Sequence, residues 1–234
     1  MKIQKAGYEI LTPISEGGVK ELQHIERIGR VCYKSEDKIT EDGESAKKFV
    51  KMLINAHHEA MIEHSTLSVM FTVDRGVSHE MVRHRIASFA QESTRYVNYS
   101  KDKFGNEINV IDLRPGIELD RKMSGMSAEV IDAVLKEWEQ AMIDAEKHYM
   151  RLIELGATAQ IARSVLPNST KTNITITANY REWRNYFRLR TADDAHPQIR
   201  EVSVPLLMEL KERIPVIFDE MYPFRARQNF TKQA

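Results

Sequence analysis

Two short segments in which every second residue is apolar constrain the fold of this chain most. Apolar side chains occupy every second position of residues 67–73 and of residues 174–178. This period of two predicts two β-strands, each with one apolar and one polar face. Helical periodicity dominates the rest of the chain, and the strands do not alternate with helices as they do in a βαβ protein. The pattern therefore favours the α+β class.

Apolar residues at helical spacing predict where the chain winds into helices. The longest such segment follows Ser127, a residue type that often caps helices, and ends at Gly156. Its apolar stripe is Val130, Val134, Trp138, Ala141, Ala145, His148 and Leu152. In chain order, we expect helices at about residues 19–30, 45–56, 77–82 (running into 83–88), 127–156, 161–167, 181–190 and 198–213. Trp183, Tyr186 and Phe187 share helical spacing and are expected in the core or at a subunit interface.

Composition narrows the class of protein. The chain has 234 residues and no Pro/Gly-rich linker, which predicts one domain over residues 1–234. Its 34 basic residues balance 34 acidic ones, which argues against a dedicated nucleic-acid or membrane-surface binder. No apolar run approaches the roughly 20 residues of a membrane span, and the N-terminus does not resemble a signal peptide. We therefore expect a cytoplasmic protein, or one of the host cytoplasm if the source is viral.

Arginine is concentrated in two windows that contain no lysine, although the chain has 16 lysines elsewhere. A guanidinium offers a rigid fork of donors that suits phosphates and planar heterocycles. The alternative is two solvated helix faces with salt bridges to Glu80, Glu92, Asp193 and Asp194. The first arginine window (75–95) holds Arg75, Arg83, Arg85 and Arg95, and the second arginine window (181–200) holds Arg181, Arg184, Arg188, Arg190 and Arg200.

Neither of the usual glycine-rich phosphate loops occurs in the chain, so any nucleotide phosphate would have to be held by side chains. The run RHRIASFAQESTRY (83–96) resembles the signature of the flavin-dependent thymidylate synthases, in which an R-H-R triplet precedes a serine by seven residues and an arginine follows. HEAMIEH (58–64), ARSVLP (162–167) and ANYREWRNYFRLR (178–190) resemble further motifs of the family, in the same order. The resemblance spans residues 55–200.

The resemblance implies a helix-rich α+β fold around a small, mainly antiparallel sheet. It also implies reductive methylation of dUMP to dTMP, with methylene-tetrahydrofolate, FAD and NADPH, by a homotetramer whose sites are shared between subunits. Arg190 matches the arginine that polarises the uracil ring. Flavin contacts are implied for His58, Ala60, Glu63, Arg83, His84, Arg85, Gln91, Asn179, Tyr180, Arg181 and Asn185. Contacts to dUMP are implied for Glu80, Met81, Val82, Arg83, Gln91, Glu92, Ser93, Thr94, Arg95, Arg163 and Arg190.

The chain departs from the family pattern at several places. Glu80 stands where a glutamine is frequent, Ala60 where a small hydroxyl residue is frequent, and Gln91 where an acid can occur. The segment AHPQIR (195–200) is a variant of A-Q-x-E-I-R. None of these changes removes a group that the chemistry obviously requires, but each could alter an affinity.

Other interpretations of the same residues stay open. His57, His58, His64 and Glu63 could suggest a metal site, but neighbouring residues of a helix point about 100° apart, and we expect no metal. His84 could simply pair with Glu80 four residues earlier. The arginines could serve a non-catalytic RNA- or nucleotide-binding module, or another flavoenzyme that modifies nucleotides.

The single cysteine, Cys32, excludes an intrachain disulfide. Thymidylate synthesis without flavin needs a thiolate nucleophile, so this residue bears on the choice of mechanism. No motif surrounds Cys32, and we expect an ordinary packed thiol.

Overall fold

The computed structural model describes residues 1–101 and 105–222. Both predicted strands are present and form the central pair of a four-stranded antiparallel sheet of order β2-β3-β6-β4. Two further strands, β1 and β5, form a separate parallel pair. The strands are β1 (Lys2–Gln4), β2 (Gly7–Ile10), β3 (Thr66–Asp74), β4 (Ala87–Gln91), β5 (Asn109–Ile111) and β6 (Lys171–Asn179).

Helices account for most of the remaining regular structure, as the helical periodicity predicts. The α-helices are α1 (Val19–Tyr33), α2 (Glu44–Asn55), α3 (Arg75–Met81), α4 (Arg114–Leu119), α5 (Ala128–Glu154), α6 (Ala159–Ala162), α7 (Tyr180–Arg190), α8 (Pro197–Arg213) and α9 (Pro215–Phe218). Short 3-10 helices cover Glu16–Gly18, Glu36–Lys38, Glu59–His64, Met123–Gly125 and Arg163–Val165. The predicted α+β class, with helices around a small antiparallel sheet, is confirmed.

The main core lies on the apolar face of the sheet. Leu67, Val69 and Phe71 of β3 are fully buried there, together with apolar residues of β6 and of helices α1, α2, α7, α8 and α9. The predicted core aromatics Trp183, Tyr186 and Phe187 pack on this face. Trp183 also donates from Nε1 to the carbonyl oxygen of Leu67, at 3.0 Å. Burying one face of each alternating strand supplies the hydrophobic stabilisation that their sequences predict.

The opposite face of the sheet is polar, also as predicted. Ser68 and Thr177 share a hydrogen bond of 2.7 Å across β3 and β6, and Thr72 donates to Asn173 at 3.0 Å. A second, smaller core joins α5 to β5 and the loop after β4.

Three local predictions need correction. The helix at 77–82 does not run into residues 83–88, because α3 ends at Met81 and the chain turns toward β4. Ser127 is the N-cap residue of α5, as predicted, but its side chain makes no cap hydrogen bond. The buried residues of α5 are Met142 and Tyr149, which the sequence places beside the predicted stripe and not within it. Cys32 is exposed and not packed, because it lies on the outer side of the last turn of α1.

In the part of the chain that the structure describes, no helix is long and apolar enough to cross a membrane. Within the same residues, no three histidine, cysteine, aspartate or glutamate side chains are grouped so that they could hold a metal ion.

Candidate functional site

The antiparallel pairing of β3 with β6 brings two of the family-like motifs together. Thr66, at the start of β3, lies opposite Asn179, at the end of β6. The segment Glu59–His64 directly precedes β3, and α7 directly follows β6, so the first ends and the second begins at the same end of the sheet. Asn179 caps α7, since its side chain accepts a hydrogen bond from the backbone N–H of Glu182 at 2.8 Å.

A cleft of about 450 Å³ opens at this end of the sheet. We call it the Asn179 cleft. It is lined by Glu59, Glu63, Ile86, Asn179, Arg181, Glu182, Asn185 and Arg188. Four of the residues implied for flavin binding, Glu63, Asn179, Arg181 and Asn185, therefore meet in one cavity, although about 120 residues separate the first from the others.

Carboxylates already pair with two arginines beside this cleft. Arg181 donates to Glu63 at 2.5 Å. Arg184 contacts Glu59 at 3.2 Å and Glu220, and it donates to the carbonyl oxygen of Ile217. The Arg184 side chain is only 4% exposed, so the prediction of a solvated salt-bridge face is wrong at this position. Arg184 ties α7 to the C-terminal helices.

Arg190, the implied catalytic residue, lies at the C-terminal end of α7 and is held from three sides. Its guanidinium donates to the Glu80 carboxylate and to the Glu80 backbone oxygen, both at 2.9 Å. Its Nε donates to Nε2 of His84 at 3.1 Å. A guanidinium has five N–H donors, so two of them have no acceptor among the described residues. Those two donors could meet a ligand.

His84 lies between Arg190 and the Asn179 cleft. It is 5% exposed, packs on Tyr186 and contacts Glu182 through Nδ1 at 2.8 Å. Burial lowers the pKa of His84, the Glu182 carboxylate opposes that shift, and the Arg190 charge adds to it. The proposed helical pair of His84 with Glu80 is wrong, since Glu80 binds Arg190 and His84 binds Glu182.

A second group of implied residues meets at the loop after β4, which Arg163 reaches from the 3-10 helix that follows α6. Arg163 donates to the Thr94 hydroxyl at 3.4 Å, and Arg95 donates to the Gln160 side chain at 3.1 Å. The Ser93 hydroxyl accepts from the backbone N–H of Arg95 at 3.3 Å. We call this group the Ser93 loop. Its two arginines are exposed and have only neutral partners in residues 1–101 and 105–222.

Glu92 and Gln91, which are also implied for nucleotide binding, form contacts with other parts of the chain. Glu92 forms a salt bridge of 2.8 Å with Lys171, not with an arginine. Gln91 donates from its amide to the Ser78 hydroxyl at 2.9 Å and to Thr172 at 3.3 Å. Met81 is fully buried in the core, whereas Val82 is 40% exposed. The contacts of these four residues with dUMP remain predictions.

The remaining residues implied for flavin binding occupy varied environments. Arg83 and Arg85 flank buried His84, are exposed, and form no ion pair with any described residue. His58 is exposed and lies 3.3 Å from the Tyr33 hydroxyl, and Ala60 is exposed beside it. Tyr180 is 1% exposed and packs against Phe218, so only its backbone could face a ligand.

The Asn179 cleft and the Ser93 loop lie at opposite ends of the same strand. The backbone N–H of Glu92, next to the loop, bonds to the Asn173 oxygen, whereas the cleft begins at Asn179. Six residues of extended chain separate these points by roughly 20 Å. One protomer therefore does not bring the two implied residue sets into one pocket.

Some residues of this region carry no implied role from the motifs. Glu182, Arg188 and Ile86 line the Asn179 cleft, and Gln160 contacts Arg95 in the Ser93 loop. Glu182 lies within the motif at 178–190, and Arg188 within the second arginine window. Ile86 lies within the motif at 83–96. Gln160 has no comparable signal, because only tertiary packing brings it to Arg95.

Comparison with known proteins agrees with the motifs. The family model described as "Thymidylate synthase complementing protein" matches residues 19–216. The flavin-dependent thymidylate synthase of Corynebacterium aurimucosum is 31% identical over 215 residues, which cover 89% of this chain and 83% of the relative. The enzyme of the same description from Mycobacterium sp. (strain KMS) is 31% identical over 210 residues, or 85% of this chain and 80% of the relative.

A solved structure has the same fold. The UMP/dUMP methylase PolB from Streptomyces cacaoi, bound with 5-Br dUMP, superimposes with a TM-score of 0.74 at 24% identity, and the match covers 94% of this chain and 96% of that one. The match to the family model over most of the chain and the two bacterial relatives confirm the family predicted from the R-H-R triplet. The chain belongs to the flavin-dependent thymidylate synthase family of enzymes.

Proposed function

We propose that this protein methylates dUMP to dTMP, with methylene-tetrahydrofolate as the carbon donor and FAD reduced by NADPH. The donor carbon is at the oxidation level of formaldehyde, so two electrons and a proton must be added to give a methyl group. NADPH supplies these electrons, and the overall products are dTMP, tetrahydrofolate and NADP⁺. The relatives named above are thymidylate synthases described as flavin-dependent, which supports the flavin and the reaction.

The observation that carries the proposal is the Ser93 loop. Arg95 and Arg163, from distant parts of the chain, converge there without a carboxylate partner among the described residues. Two uncompensated guanidinium groups beside the hydroxyls of Ser93 and Thr94 form a suitable site for the phosphate of a nucleotide. The structural neighbour described as a UMP/dUMP methylase is bound to a dUMP analogue, which is consistent with this assignment.

The residues of the Asn179 cleft fit part of a flavin dinucleotide. Arg188 and the neighbouring Arg83 and Arg85 have no carboxylate partners among the described residues and suit a diphosphate. Asn179 and Asn185 offer amide groups, and Ile86 offers an apolar surface, 69% exposed. These residues would hold the flavin, which supplies hydride transfer when bound. The protein positions the ligands and stabilises charge.

Arg190 would act on the pyrimidine ring. Methylation at the ring carbon requires negative charge to develop on the uracil, and the two remaining N–H donors of Arg190 can stabilise that charge. Glu80 and His84 hold the guanidinium in place before the nucleotide arrives. The Ser93 loop would fix the phosphate end, so that the ring is oriented for reaction.

We further propose that complete sites form between subunits of a homotetramer. The Asn179 cleft and the Ser93 loop are separated by roughly 20 Å of strand in one protomer. A second protomer could bring its own Ser93 loop to the cleft of the first. We place the enzyme in the cytoplasm, where dUMP, folate and NADPH are available.

A direct experiment uses the purified protein with added FAD. Titration followed by flavin fluorescence should give saturable binding at micromolar FAD. Turnover of dUMP with methylene-tetrahydrofolate and NADPH should then yield dTMP, and sedimentation should show a tetramer. Turnover of UMP but not of dUMP would indicate a different flavoenzyme that modifies pyrimidine nucleotides. Absence of saturable FAD binding would refute the proposal, and a fully active monomer would refute the shared site.

A further inference from the structure

Glu182 is a buried acid that the proposed chemistry leaves without a role. It lies in the first turn of α7, with a side chain 9% exposed. One carboxylate oxygen contacts Nδ1 of His84 at 2.8 Å and also accepts from the Asn185 amide at 3.2 Å. Glu182 therefore touches the wall of the Asn179 cleft on one side and His84 on the other.

The hydrogen bonds of His84 define its protonation state. The Arg190 guanidinium has donors only, so Nε2 of His84 must accept the Nε–H of Arg190 at 3.1 Å. Nδ1 then carries the proton and donates it to Glu182. A neutral imidazole of this tautomer satisfies both contacts, whereas an imidazolium would direct a second N–H at the arginine. Burial and the positive charge of Arg190 both favour the neutral form.

We propose that Glu182 is a positioning residue: through the tautomer of His84, it fixes the orientation of the Arg190 guanidinium. An anionic acceptor at Nδ1 keeps the proton there and leaves Nε2 free to receive Arg190. Glu80 holds the other two nitrogens of the guanidinium. The resulting chain, Glu80–Arg190–His84–Glu182, connects the arginine to the Asn179 cleft. The functional part of this inference rests on the proposed role of Arg190 toward dUMP.

Glu182→Gln tests the proposal, because glutamine keeps the size of the side chain and removes its charge. The matched control is Glu209→Gln, which removes a partly exposed carboxylate of α8 that contacts Tyr8 and Arg213 and not His84. In FAD-loaded protein, calorimetry should show dUMP affinity about tenfold weaker for Glu182→Gln, the size expected from the loss of about one hydrogen bond to a charged group. FAD affinity should not weaken, since the lost charge repels a diphosphate. Glu209→Gln should leave dUMP binding unchanged.

Nitrogen-15 NMR of the histidine rings gives a readout that does not depend on activity. In the unaltered protein, His84 should show a protonated Nδ1 and an unprotonated Nε2, and Glu182→Gln should shift both signals. Lowering the pH through the depressed pKa of His84 should protonate Nε2 and weaken dUMP binding in parallel. The groups facing the ring are Glu182, Tyr186 and Arg190 of α7 and, through Arg190, Glu80 of α3.

The outcomes separate this inference from the proposed function. Unchanged dUMP affinity and unchanged His84 signals in folded Glu182→Gln would overturn the positioning role, as would an equal loss in Glu209→Gln. If the unaltered protein binds no dUMP at all, the proposed function fails, but the histidine spectra still decide whether Glu182 sets the tautomer. If Glu182→Gln does not fold, the pH titration of the unaltered protein supplies the test, and dUMP affinity independent of His84 protonation would refute the proposal.

Discussion

The two arginine windows are alike in composition but differ in how their charges are compensated. In the second arginine window, Arg181, Arg184, Arg190 and Arg200 each have a carboxylate partner. None of the four arginines of the first arginine window has such a partner in the described part of the chain. The helix α7 packs against elements that supply Glu59, Glu63 and Glu80, whereas the first window continues into a turn and a loop.

An arginine cluster can therefore be structural in one place and available to a ligand in another. A buried, paired guanidinium stabilises packing only while its partner is present. An exposed guanidinium with neutral partners can bind a phosphate without first breaking an ion pair. Arg190 combines both properties, because it is paired and yet keeps two free donors.

The largest expected effect is on stability, at a paired arginine. Arg184→Ala removes the closer of the two arginine partners of the partly buried Glu59, whose other partner is Arg181 at 3.8 Å, and it removes the contact to Ile217. Breaking a buried pair in this way costs about 3–5 kcal/mol. Thermal denaturation should show a midpoint lower by roughly 6–20 °C for a chain of this size. Arg188→Ala, on the exposed side of the same helix, should shift the midpoint by little. Equal midpoints for the two variants would contradict the distinction between paired and unpaired arginines.

The next largest effect is expected for Arg190, which is paired with a carboxylate and yet keeps two N–H donors without an acceptor among the described residues. Arg190→Lys keeps the charge but loses the planar fork that Glu80 and His84 hold. We expect a loss of about 2–4 kcal/mol in transition-state stabilisation, or roughly 30- to 1,000-fold in turnover of dUMP. FAD affinity should survive. The control is Arg213→Lys, which alters an exposed pair with Glu209 on α8. A collapse of FAD affinity would show that Arg190 serves a different ligand.

A smaller effect is expected for an unpaired arginine of the Ser93 loop. Arg163→Ala removes one guanidinium from the proposed phosphate site and should weaken dUMP binding about 10- to 100-fold, since a hydrogen bond to a charged group contributes roughly 1.5–3 kcal/mol. Binding of deoxyuridine, which lacks the phosphate, should not change. Arg151→Ala, which breaks an exposed pair with Glu154, is the matched control. Calorimetry measures the affinities for dUMP and for deoxyuridine. Equal losses of affinity for the two ligands would place Arg163 away from the phosphate.

The smallest effect is expected outside both windows, at Cys32. The thiol is exposed at the end of α1 and far in sequence from the cleft residues. A flavin route needs no thiolate of the protein, so Cys32→Ala should keep dTMP formation within about twofold, and an exposed side chain should change stability by less than about 0.5 kcal/mol. Complete loss of turnover in a folded variant would restore the thiolate mechanism.

Much of the site follows from local pattern. The motifs around 58–64, 83–96 and 178–190 contain residues that line the Asn179 cleft, and the two alternating segments, β3 and β6, pair in the sheet. The short strands β1, β2, β4 and β5 were not predicted, because three to five residues carry too little periodicity to be distinguished from loop.

The class of fold, the family and the candidate side chains for the chemistry follow from the sequence by itself, since periodicity, residue type and motif order are local properties. Only the tertiary structure decided which charges are compensated. Glu182 reaches His84 across 98 positions, Glu80 reaches Arg190 across 110, and Arg184 is buried rather than solvated. Such contacts depend on how helices pack on the sheet, and the free energy of a charged group depends on its burial and on the partners that packing brings to it.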